Sequence, residues 1–96
     1  MELTLQDLRR YAIERRVEIN ATDSGSGRAV VINTSGQVRI PGEDKLFRVE
    51  SVLESADRFE VAGGDRRRQL SRQSLAGELS EYFGKNVMST HHDEDE

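Results

Sequence analysis

The stretch from Arg28 to Gly42, RAVVINTSGQVRIPG, limits the possible fold more than any other part of this chain. Val30, Val31 and Ile32 form one β-branched run, Val38 and Ile40 belong to a second, and Thr34-Ser35-Gly36 lies between them. Residues branched at Cβ suit a pleated, half-buried surface. A short link containing glycine, which takes φ > 0 at little steric cost, joins such runs into a β-hairpin. Two strands are therefore expected, Arg28–Asn33 and Gln37–Ile40, stopped by a turn at Pro41-Gly42.

Upstream, Val17-Glu18-Ile19-Asn20-Ala21 alternates apolar and polar residues, the pattern of a strand with one buried face. Thr22 to Gly27 is a turn cluster that leads from this strand into the hairpin. The three strands then form an antiparallel meander. Its inward set is Val17, Ile19, Val30, Ile32, Val38 and Ile40, and Ala29 and Val31 face the other side.

Helices flank the meander. Thr4 is the N-cap of a helix over about residues 5–16, with Asp7 in the capping-box position and Leu3 and Leu8 as a hydrophobic staple. Leu5, Leu8, Tyr11 and Ala12 form its apolar stripe. A second helix is expected over about 48–59, from the spacing of Val49, Val52, Leu53, Ala56 and Phe59. Either a Ser51/Glu54 capping box or a Phe47/Val52 staple sets its start. Gly63-Gly64-Asp65 breaks the chain, and Arg66–Leu70 reads either as a short edge strand or as an exposed linker. Leu70, Ser71 and Leu75 repeat the staple-and-cap pattern and open a third helix over about 72–83, with Gly84 as its stop. Gly77 inside that helix costs about 1 kcal/mol against Ala, so a close packing contact is expected there. The order helix, three strands, helix resembles that of double-stranded-RNA-binding domains. The resemblance is one of element order only, because Gly42 to Arg48 carries two acids and two separated bases.

The fold class is thus α+β: helix, three-stranded antiparallel meander and helix, then the candidate edge strand and a C-terminal helix. Residues 1–84 form one domain, and 85–96 are expected to be a disordered acidic tail. Ninety-six residues support a modest single core. The chain has no cysteine, which excludes a disulfide framework, a thiolate metal site and a Cys nucleophile. No apolar run is long enough to span a membrane, and MELTLQDLRR lacks the apolar centre of a signal peptide. A cytoplasmic location is the expectation. The net charge of −4 comes entirely from Asp93 to Glu96, because the other 14 acids balance the 14 basic residues.

Catalytic chemistry finds little support, and the chain reads as a non-enzyme without cofactor or metal. The only histidines, His91 and His92, sit in the acidic tail without the packed support a general base needs. The carboxylate pairs Glu43/Asp44 and Glu50/Glu54 belong to solvated segments, where nothing would set their proton affinities apart. Gly25-Ser26-Gly27 lacks the lysine and the following helix of a phosphate loop. Two groups remain. Arg66, Arg67, Arg68 and Arg72 are candidate anion or partner contacts, although no aromatic residue is interleaved for base stacking. Leu79, Tyr82 and Phe83 are a candidate helix face for a partner. The reading is a protein-interaction module that binds an unknown partner or a second copy of itself. Nucleic-acid or polyanion binding through residues 66–72 is the alternative.

Overall fold

A computed structural model describes residues 3–41 and 48–95, with side chains described as far as residue 84. The Gly42 half of the Pro41-Gly42 turn, the Glu43-Asp44 pair and Phe47 lie outside the described residues, and so do the side chains of His91 and His92.

Helix α1 spans Leu5–Arg15. Thr4 Oγ1 accepts the Asp7 N–H at 3.1 Å, and Leu3 and Leu8 are both buried, so cap and staple are as the sequence implies. The helix ends without glycine, on Arg16 in the left-handed region at φ 56° and ψ 49°. That turn lets the Val17 N–H reach the Ala12 carbonyl at 3.0 Å and sends the chain into the sheet.

Strand β1 (Glu18–Asp23) pairs antiparallel with β2 (Arg28–Ile32), setting Ile19 opposite Ile32 and Ala21 opposite Val30. Asp23 organises the loop between them: its carboxylate accepts the Gly25 N–H at 3.0 Å and the Ser26 hydroxyl at 2.9 Å. A hairpin strand follows Gly25-Ser26-Gly27 directly, so the loop does not open a helix as a phosphate loop does. Strand β3 (Val38–Arg39) completes the predicted meander against β2. Asn33 Oδ1 accepts the N–H groups of Ser35 and Gln37 at 2.9 and 3.0 Å, and Gly36 takes φ 83°. Gly36 is also buried: a Cβ there would lie 2.6 Å from Ile13 Cδ1.

The sheet is larger than a three-stranded meander. Helix α2 covers only Val49–Ser55 rather than 48–59, and the chain then becomes strand β4 (Arg58–Gly63). Ala56 is already extended at φ −60° and ψ 132°, and the Asp57 N–H bonds to the Thr22 carbonyl at 3.0 Å. Ala56 and Phe59 are buried as the helical spacing suggested, but Phe59 is buried from a strand, opposite Ala21 of β1. Strand β5 (Arg66–Leu70) returns against β4 through Gly64-Asp65. Gly64, the first loop residue, has φ 59°, which suits a two-residue hairpin opened by glycine. The resulting order is β3-β2-β1-β4-β5, all antiparallel, with β1 rather than the opening hairpin at the centre.

Helix α3 runs Arg72–Asp95, continuing through Gly84 where a stop was expected. The packing contact expected at Gly77 is not there either. Gly77 is exposed, and a Cβ would meet nothing within 4 Å. All three helices pack on one face of the sheet. Leu8, Tyr11 and Ala12 of α1, Val52 and Leu53 of α2, and Leu75, Leu79 and Phe83 of α3 share one core with Ile19, Ile32, Phe59 and Val61. Of the expected inward set, Ile19, Val30 and Ile32 are fully buried, while Val17, Val38 and Ile40 are half-buried. The other face shows Asn20, Val31, Glu60 and Gln69 across neighbouring strands.

Candidate functional site

The four candidate arginines do not converge. Successive residues of a strand point to opposite faces. In β5, Arg66 and Arg68 lie on the helix side with their partners Gly63 and Val61, and Arg67 lies on the open side opposite Ala62.

Arg68 is engaged within the fold. Its two terminal nitrogens donate to Glu78 of α3 at 2.6 and 3.0 Å, a two-pronged ion pair that ties the edge strand to the last helix. Tyr11 of α1 donates to the same carboxylate at 3.2 Å, so three elements meet at Glu78. The bonds from Arg68 hold the Glu78 carboxyl below the usual glutamate range. Burial, and then the neighbouring Glu78 charge, push the Tyr11 hydroxyl up. A parallel contact lies alongside. Tyr82 donates to Glu14 at 2.6 Å, Arg10 donates to the other oxygen at 2.8 Å, and the Glu14 carboxyl is lowered, first by Tyr82.

Arg72 is a structural cap for a different helix. Its Nη2 donates to the carbonyls of Leu53, Glu54 and Ala56, the last two at 2.9 Å. These carbonyls end α2, where no intrahelical N–H remains to satisfy them and a cation is favoured. The guanidinium also sits 5.4 Å from the Phe59 ring centre. Arg66 and Arg67, by contrast, are exposed, and their side chains make no hydrogen bond or ion pair among the described residues.

The candidate partner face of α3 turns inward. Leu79 is fully buried and Phe83 is 7% exposed. Half-buried Tyr82 meets Tyr11 edge-on at 5.3 Å and Phe83 at 5.2 Å. Among the described residues the one exposed large apolar side chain is Ile13, which lies over Gly36. A groove remains between α1, α3 and the β4–β5 hairpin, lined by Tyr11, Arg15, Val17, Arg66, Arg68 and Glu78. Arg15 stacks 5.6 Å from the Tyr82 ring centre at its edge. Glu50 and Glu54 are both exposed on α2, and no three His, Asp or Glu side chains gather as metal ligands among the described residues.

The feature with unmet bonding capacity is the sheet edge. β5 is an outer strand of five residues, four exposed and Leu70 half-buried. The opposite edge, β3, has two residues and is followed within two positions by Pro41. Alternate N–H and C=O groups of an edge strand face away from its neighbour and pair with nothing. In a two-residue hairpin the flanking pair, here Gly63 and Arg66, exchanges hydrogen bonds, so the backbones of Arg67 and Gln69 face outward. Sequence reasoning left this strand open as strand or linker. The pointer to it was the Gly-Gly-Asp break between Phe59-Glu60-Val61 and residues 66–70. No signal in the local pattern marked Glu78 or Arg72 for their roles, because their partners lie outside the helix that carries them: Arg68 and Tyr11 for Glu78, and the carbonyls at the end of α2 for Arg72. No family model, curated protein or solved structure matches the chain.

Proposed function

We propose that this chain is a small, non-enzymatic protein-interaction module whose β5 edge receives an extended segment of a partner. The observation that carries this reading is the five-residue strand that ends an otherwise well-packed sheet and pairs on one side only among the described residues. Addition of a strand supplies main-chain hydrogen bonds for affinity, and the side chains flanking the edge supply selection. A second copy is a poor occupant, because β5 laid against another β5 would bring the arginines of the two edges close together, Arg68 facing Arg68 in the full-length antiparallel register, and like charges facing across strands are destabilising.

Polyanion or nucleic-acid binding through Arg66, Arg67, Arg68 and Arg72 has less support, since Arg68 and Arg72 are engaged by Glu78 and by the end of α2. The test is a titration of isotope-labelled protein with short strand-forming peptides, read as amide shifts. The reading requires the shifts to concentrate in Arg66–Leu70. It also requires them to vanish in Arg67→Pro, which removes an outward N–H without touching the ladder to β4. Shifts spread over the helices, or none, would refute it.

A further inference from the structure

Resting on the reading of β5 as an interaction edge, we infer that the segment it accepts is acidic, with two adjacent carboxylates that meet Arg66 and Arg67. Neighbouring strand residues point to opposite faces, so these two arginines stand on either side of the sheet edge. Both are exposed, and their guanidinium groups are without a hydrogen bond or ion pair among the described residues. In a strand laid along β5, directly opposed Cβ atoms come within about 5 Å, close enough for a carboxylate to reach a guanidinium. Serving both arginines takes one acid on each face, which means consecutive acids in the incoming strand.

The rest of β5 narrows the pattern. Arg68 already holds Glu78 through two bonds, so a third carboxylate on the helix side gains little and comes near Glu78 itself. Gln69 is neutral and exposed, which suits a small polar neighbour, and half-buried Leu70 favours an apolar one. The positive field of the edge also repels a second β5 and basic segments alike, so charge selects the partner as well as attracting it.

The experiment uses the full chain and three blocked peptides of one length and similar strand propensity. They are Thr-Val-Glu-Glu-Val-Thr-Val and its Gln-Gln and Lys-Lys counterparts, followed by amide shifts at low salt. Exposed ion pairs add modestly to affinity, and with two of them the Glu-Glu peptide is expected to bind at β5 roughly tenfold more tightly than the Gln-Gln peptide. That advantage should shrink at high salt. In the double variant Arg66→Glu/Arg67→Glu the preference should reverse toward the Lys-Lys peptide, with the spectrum of the core unchanged. Equal binding of the Glu-Glu and Gln-Gln peptides at β5 would overturn the acidic assignment and leave the edge reading intact. No peptide shifting β5 would overturn both. A single-stranded oligonucleotide that shifts Arg66 and Arg67 when no peptide does would also overturn it, in favour of a polyanion.

Discussion

The two halves of the sheet are held in different ways. The half built from β1, β2, β3 and α1 is closed by apolar contacts, Ile19 against Ile32 and Ile13 over Gly36, with one bond from Arg9 Nε to the Gly36 carbonyl at 2.8 Å. The half built from β4, β5 and α3 adds charged ties to its buried Phe59, Leu75 and Leu79: Arg68 pairs with Glu78, which also holds Tyr11, and Arg72 caps the end of α2. Hydrophobic burial is non-directional and scales with area, whereas hydrogen-bonded charges depend on geometry and protonation. The first half should therefore respond mainly to volume, and the second to volume and to chemistry.

The largest effect separating them is expected from Ile32→Ala, which empties space at a fully buried site. It should cost about 2–5 kcal/mol in denaturant unfolding. Next comes Arg72→Ala, which leaves three carbonyls unserved and uncovers a Phe59 contact. A loss of about 2 kcal/mol is expected, and Arg72→Lys should recover only part of it, because a single ammonium does not replace the planar fork. If Arg72→Ala were neutral, the division between the halves would fail.

Acid acts where α3 is tied in, at Glu78 and at its contact with Glu14 of α1. Glu78 and Glu14 both titrate below their ordinary value when folded, through Arg68 and Tyr82 respectively. A group depressed in this way adds stability that is fully present above its unfolded value and is lost as the pH falls through the folded one. Stability should thus decline as pH drops through and below the ordinary glutamate range. Glu78→Gln should flatten that decline, while variants in the β2–β3 hairpin leave its shape alone. Thermal melts across the acid range measure this. The smallest effect is a gain: Gly77→Ala has open space around the new methyl and should stabilise by up to about 1 kcal/mol.

The same contrast explains what the sequence made legible. Thr4, Leu3 and Leu8 announced α1 because cap and staple act within one turn. The hairpin around Gly36 was readable because its turn chemistry is local. Phe59 misled because a strand residue fell by chance at helical spacing from Val52 and Ala56, and pairing with Ala21 decided the matter. Gly84 misled because glycine weakens a helix without forbidding it, and α3 continues past it. The arginine cluster was visible as composition. Its division into a tie, a cap and two side chains unpaired among the described residues depends on partners, Glu78 and the α2 carbonyls, that only the assembled fold brings near.

Residue-resolved hydrogen exchange along β5 tests the open edge most directly. In the free protein the amides of Arg66, Arg68 and Leu70 should exchange slowly, held against β4, while those of Arg67 and Gln69 exchange fast. Saturation with the Glu-Glu peptide should slow Arg67 and Gln69 selectively. Protection of those two amides in the free protein, or exchange unchanged at saturation, would contradict an edge that waits for a strand.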